Sequence, residues 1–295
     1  MSLRAELICD VKAELAEGPV WHDGALWWVN INVGTLNRLD VRTGLNTSRA
    51  TGDFLGAAVP DAQGGWLIAR RNSVARLDWS SGEISPLATL PNPDPRLRFN
   101  DGKYDPRGRF FAGTMHREAA PERAAFYRLT GDTLEMQFDG VTISNGLDWS
   151  PDGARMYYTD TLTGRVDIFD YDLENGTMSG RRPLVKFAQN QGWPDGLCCD
   201  VNGNVWLALW DGGAVECLDG RTGKSLERIP IPARRVSSCC FGGENLDRLF
   251  ITTAWEDYDK AARDAEPLAG GIFAVEPGVC GRPVSPFTLA CSNAT

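Results

Sequence analysis

The sequence predicts an all-β fold, a six-bladed β-propeller that fills residues 1–295 as one domain. Three observations predict it. One short unit recurs six times at a near-constant interval. Its apolar residues fall in short, strand-length runs bounded by glycine turns. No stretch carries a long apolar period of 3.6 residues.

The first copy holds Glu17-Gly18-Pro19-Val20-Trp21, an Asp23-Gly24 turn, Leu26-Trp27-Trp28-Val29, Leu36 to Asp40 and Thr43-Gly44. Ala57 to Asp61, Gly64-Gly65, Trp66-Leu67-Ile68, Val74 to Asp78 and Ser81-Gly82 form the second. In the third, Phe99-Asn100-Asp101-Gly102 precedes Asp105 to Gly108 and Phe110 to Gly113. The fourth runs from Ser144 to Trp149, through Asp152-Gly153, to Met156–Asp160 and Val166–Asp170. Pro194 to Leu197, Asn202-Gly203, Val205 to Ala208, Val215 to Asp219 and Thr222-Gly223 make the fifth; Ser238 to Gly243, Leu249 to Thr252 and Gly271 to Val275 make the sixth. With Glu17, Ala58, Asn100, Asn145, Asp195 and Ser238 as register marks, the spacings are 41, 42, 45, 50 and 43 residues, the interval of propeller blades. A β-sandwich also has many short strands, but it does not require one unit to return at this interval. Between the last strands, Lys260 to Ala265 is expected to form one helical turn at most.

The charge balance restricts the partners. With 30 basic and 39 acidic residues the net charge is −9. That argues against a nucleic-acid backbone, whose binding needs clustered Lys and Arg, and it suits a cation and a neutral small molecule. No apolar run approaches the ~18 residues that would span a membrane, and Met1 to Glu6 lacks the basic start and apolar core of a signal peptide. A cytoplasmic location is expected, with no obligatory protein partner indicated. The eight cysteines form no C-x-x-C pair. Cys198-Cys199 and Cys239-Cys240 follow matching positions of two blades, so they are expected as reduced, buried thiols on inner strands, each pair sending one sulfur into each neighbouring inter-blade layer.

In a propeller the innermost strands line the axis, and residues at their entries converge there. This chain offers Glu17, Asn100, Asn145 and Asp195 at that place in four blades. Carboxylates gathered in one buried spot repel unless a cation compensates them, and Glu, Asp and Asn oxygens are hard ligands. The pattern therefore points to an axial oxygen-ligand metal site. Tight Asn-Gly and Asp-Gly turns are the competing account of the same dipeptides; they suit Asp23-Gly24 and Asp152-Gly153 and leave Glu17 unexplained. With only His22, expected at the surface, and His116, expected near the channel mouth, a His-rich zinc site has no residues to build it. There is no G-x-S-x-G elbow and no phosphate-binding glycine loop.

The chain resembles the SMP-30/gluconolactonase/luciferin-regenerating-enzyme family. The likeness rests on Glu17 to Trp21, Arg98 to Lys103, Phe111 to Met115, Ile143 to Ser150, Pro194-Asp195-Gly196, Ser238 to Gly243 and Ala269 to Phe273, which together span most of the chain. The resemblance implies one divalent metal on the axis, calcium or zinc first and magnesium, manganese or iron next, held by Glu17, Asn145 and Asp195. It implies a sugar lactone such as gluconolactone as substrate, contacted by Arg98, Asn100 and Glu118. Asp195 would be both metal ligand and general base for the attacking water. A non-catalytic calcium-binding propeller, or an esterase acting on other small substrates, uses the same parts. Asn30-Ile31-Asn32 departs from the pattern, where an acidic residue is more usual, and Asp53 to Gly56 and Trp193 are individual to this chain and expected near the mouth.

Overall fold

Among the described residues, the strands assemble into six four-stranded antiparallel sheets. The computed structural model of the chain describes residues 3–91 and 93–284. Five sheets are sequential meanders whose innermost strands are Ala16–His22, Leu55–Pro60, Leu97–Tyr104, Ser144–Trp149 and Trp193–Cys199. The sixth starts at Val236–Gly242 and continues through Arg248–Thr253 and Ile272–Val275, but its outermost strand is Glu6–Cys9, from the beginning of the chain. Leu7 pairs with Phe273 and Glu6 with Ala274. This is the expected six-bladed propeller, with one strand the repeat pattern had not supplied. Lys260–Ala265 is one short helix, capped by the Asp259 carboxylate accepting from the Ala262 N–H at 2.8 Å.

Local chemistry explains the blades. Asp23 and Gly24 both have positive φ, +46° and +69°, so the first hairpin closes on a two-residue turn whose twist matches the strands it joins. Large apolar residues fill the layers between sheets. Phe111, Phe126, Trp149 and Tyr158 are fully buried between the third and fourth blades, where each Phe contributes about 1.5–3 kcal/mol by leaving water. Cys199 packs in the layer with Leu197 and Val205, Cys198 and Cys239 share the next layer with Sγ atoms 3.7 Å apart, and Cys240 lies in the layer after that, beside Trp28 and Phe250. The four thiols are free, buried and distributed between layers as the alternation of strand side chains requires. Cys291 lies outside the described residues.

All six innermost strands lose register near their entry. The irregularities fall at Glu17/Val20, Leu55/Ala57, Phe99/Gly102, Asn145/Leu147, Pro194/Leu197 and Val236/Ser238. A bulge bends the strand and re-aims its side chains, so the entry residues turn toward the axis. Glycine is needed where inner strands then meet. A Cβ on Gly146 would stand 2.4 Å from the Asp195 carbonyl oxygen, and one on Gly56 would stand 2.5 Å from the Phe99 carbonyl oxygen. The register marks Ala58 and Ser238 are accordingly corrected: both lie beyond the bulge of their strand, and Gly56 and Ser237 occupy the bulged positions.

Candidate active site

The bulged entries open onto a cavity of about 680 Å³ at one mouth of the channel. Glu17, Arg98, Asn100, Asn145 and Asp195 all line it and are all at least nine-tenths buried. Four separate inner strands thus bring five polar side chains to one place. Phe54 and Trp193 also line the cavity, as expected of two residues individual to this chain. His116 is buried but outside the lining, with its Nδ1 accepting from the Glu118 N–H at 3.2 Å, and His22 is half-exposed beside Asp23.

A hydrogen-bond relay holds the amides. Arg98 Nη1 donates to Asn100 Oδ1 at 2.5 Å and to the Phe99 carbonyl at 3.1 Å. Asn100 Nδ2 donates to the Ser144 carbonyl at 2.7 Å and to Asn145 Oδ1 at 2.9 Å. Asn145 Nδ2 donates to Thr161 Oγ1 at 2.9 Å. Both Asn100 amide protons are committed within the protein, so its part is to orient Asn145 and Arg98, with only its oxygen left to meet a ligand. Both Arg98 bonds leave from one nitrogen of the guanidinium, and no carboxylate pairs with it among the described residues.

The carboxylates are less settled. Glu17 Oε2 accepts the Gly18 N–H at 2.7 Å, but burial and then the charges of Asp195 and Asp101 push its carboxyl well above the ordinary range. Burial, Asp101 and Glu256 do the same to Asp195. Asp195 Oδ1 is buried with no hydrogen-bond partner. An orphaned carboxylate oxygen is costly, roughly 1–3 kcal/mol or more when charged. Two repelling acids, one orphaned oxygen and an oriented Asn145 amide form a donor set that fits a hard divalent cation. Among the described residues, no group of three His, Cys, Asp or Glu side chains is placed to hold a metal; this donor set has two carboxylates and an amide. Burial lowers the Arg98 guanidinium to about 10, partly offset by Glu256 and then Glu17.

Glu118 is not brought into the cavity. It is exposed on the turn His116 to Ala119, which closes by the Ala119 N–H donating to the His116 carbonyl at 2.8 Å, with Ala119 at φ +50°. The cavity instead has Glu14, Asn32 and Glu256, none of which was expected there as a binding residue. Asn32 had drawn notice only as a departure from the family pattern, and that departure was the signal to follow. The apolar side of the mouth is made by Met115, Ile143, Leu162, Trp193 and Trp210. No helix among the described residues is long and apolar enough to cross a membrane.

Residues 15–255 match the model of the SMP-30/Gluconolactonase/LRE-like region. The chain is 41% identical over 293 residues to regucalcin of Danio rerio, covering 97% of this chain and 99% of that one. Its fold superposes on a calcium-binding regucalcin of Agrobacterium tumefaciens with a TM-score of 0.93 at 28% identity, covering 98% of this chain and 99% of the other. A luciferin-regenerating enzyme matches with a TM-score of 0.91 at 29% identity, covering 98% and 100%.

Proposed function

Because the chain belongs to the SMP-30/gluconolactonase/LRE-like family, we propose that its axial cavity hydrolyses a small sugar lactone to the open acid, with a divalent ion held by Glu17, Asn145 and Asp195. The observation that carries this reading is the buried, unpartnered Asp195 Oδ1 in a cavity it shares with Glu17, Asn145 and Arg98. The ion would supply Lewis-acid polarisation of the lactone carbonyl. Asp195, ionised in that setting, takes a proton from water as the water oxygen adds to the carbonyl carbon. The proton returns to the ring oxygen when the carbon–oxygen bond breaks, leaving a carboxylic acid and a free hydroxyl. Arg98 donates hydrogen bonds to the substrate oxygens, and Asn100 keeps Arg98 and Asn145 in place. An ion-binding protein without turnover is the second reading, favoured by the calcium-binding description of the Agrobacterium relative.

Metal-stripped protein, reloaded in turn with calcium, zinc, magnesium, manganese and iron(II), is to be assayed on a panel of sugar lactones. Turnover that needs one of these ions is expected. Arg98→Ala should lower kcat/KM about tenfold to a hundredfold, the size of a lost charge-assisted bond, while the ion's thermal shift stays near that of the unaltered protein. Ion binding without turnover of any lactone would select the second reading. A long-chain acyl-homoserine lactone as best substrate by kcat/KM would overturn the sugar assignment, since an alkyl chain leaves Arg98 unpaired.

A further inference from the structure

The cavity needs an acceptor opposite its donor. A sugar ring presents hydroxyls that both give and take hydrogen bonds, and Arg98 can only give. The family resemblance implies Glu118 as the carboxylate beside it, but Glu118 is exposed on a turn and does not line the cavity. From the geometry of the sixth blade we infer that Glu256 is the carboxylate that accepts from the substrate hydroxyls, held ready by Asn32 and Glu14. This rests on the lactonase reading for its substrate class and adds a specificity-determining residue to it.

Glu256 follows the strand Arg248–Thr253, in the segment that leads to the helix Lys260–Ala265. Its backbone is anchored: the Trp255 and Glu256 N–H groups both donate to the Glu14 carbonyl, at 3.1 and 2.9 Å, and Leu15 bridges Ala254. Its side chain is anchored too. Asn32 Nδ2 donates to Glu256 Oε1 at 2.5 Å and to Glu14 Oε1 at 3.2 Å. All three residues line the cavity with Arg98 and with the unpartnered Asp195 Oδ1, and all three are half-buried. A carboxylate fixed through one oxygen keeps the other for a ligand. Charge agrees with the placement, because Glu256 is the group that most favours the protonated Arg98 guanidinium. The pairing also accounts for Asn32. An acidic side chain there would confront Glu14 and Glu256 with a third negative charge, whereas the amide gives each a hydrogen bond.

The test compares Glu256→Gln, Glu118→Gln and Asn32→Asp, each loaded with the ion that supports turnover. Two lactones serve as probes: D-glucono-1,5-lactone, which carries hydroxyls, and δ-valerolactone, which has the same ring without them. Glu256→Gln should lose tenfold or more in kcat/KM on gluconolactone and less than about twofold on valerolactone, and Asn32→Asp should lose in the same sense. Glu118→Gln should not reproduce that selective loss. A variant that merely loosened the fold would lose on both substrates alike, and that result would overturn the inference, as would a selective loss confined to Glu118→Gln. Binding of 1,5-anhydro-D-glucitol, a hydroxylated ring without a carbonyl, is read separately by calorimetry. Weaker binding to Glu256→Gln supports the assignment even if no lactone is turned over, an outcome that would count against the lactonase reading alone; equal binding, or none to the unaltered protein, overturns it.

Discussion

Replacing Glu17 with Gln should separate the stability of the metal-free protein from its ability to hold an ion. Glu17 lies within hydrogen-bond reach of Asp195; burial and then the Asp195 charge raise the proton affinity of Glu17, while burial, Asp101 and Glu256 raise that of Asp195. A Gln amide is neutral and can donate to the orphaned Asp195 Oδ1. Satisfying that atom is worth about 1–3 kcal/mol, and at about 2–4 °C per kcal/mol the metal-free variant should melt several degrees above the unaltered protein at pH 8. The sign follows from linkage. Both carboxyls have folded pKa values above the unfolded ones, so the folded state holds the extra protons. The contribution of this pair to metal-free stability is therefore greatest below the ordinary carboxylate range, about 4, and falls as the pH rises through the raised folded values. The advantage of the variant should shrink toward acid pH. With metal the order reverses: an ion at a hundredfold above its Kd adds about 2.7 kcal/mol to the unaltered protein and much less to the variant. Thermal melts with chelator and with ion, from pH 5 to 8.5, measure all of this. A metal-free Glu17→Gln protein less stable than its parent at pH 8, or one with the full metal shift, would refute the reasoning.

Two further outcomes are expected. Gly146→Ala should destabilise by about 1–3 kcal/mol, as overpacking does, because its Cβ would meet the Asp195 carbonyl oxygen at 2.4 Å; since the same backbone carries the Asp195 side chain, ion affinity should drop as well, and an unchanged affinity in calorimetry would contradict the close approach. The thiols of Cys199, Cys239 and Cys240 are raised by burial first, so iodoacetamide at pH 8 should label them only after unfolding. Mass spectrometry showing fast labelling in the native protein, or a disulfide among these residues and Cys198, would overturn their placement.

The sequence made the blades legible because each carries its own punctuation: Asp23-Gly24, Asp152-Gly153 and Asn202-Gly203 mark turns by local backbone chemistry alone. Glu17, Asn100, Asn145 and Asp195 could be grouped because a repeat places equivalent residues at equivalent depth. What stayed hidden depended on distant partners. Nothing in Glu6-Leu7-Ile8-Cys9 announces that it pairs with Ile272 to Ala274. Glu118 was implied by the family resemblance alone, but it lies exposed on a turn with Ala119 at positive φ, outside the cavity lining. Glu256 acquires its setting from Asn32 and Glu14, at the other end of the chain. The bulges displaced the register marks in the second and sixth blades because one extra residue leaves the spacing of blades almost unchanged.

The strand Glu6–Cys9 makes the molecule a hoop whose clasp joins its two ends. Such a closure has very high sequence separation, a slow kind of contact to form. The strand Glu6–Cys9, made well before its partner, can find its place only after Ile272–Val275 exists, so it waits unpaired until the sixth blade is made. Glu17 belongs to the first blade, and Asn145 and Asp195 to the fourth and fifth. Their convergence needs the hoop shut, although none of them touches the clasp. Ion affinity is thus a gauge of circular integrity: trimming the first nine residues would remove no polar group from the cavity, yet it would leave the sixth blade without its outer strand and the first and sixth blades joined through their inner strands, by contacts such as Trp21 on Phe250 and the Ser237 hydroxyl on the Ala16 carbonyl, a looser frame in which Glu17 must meet Asp195.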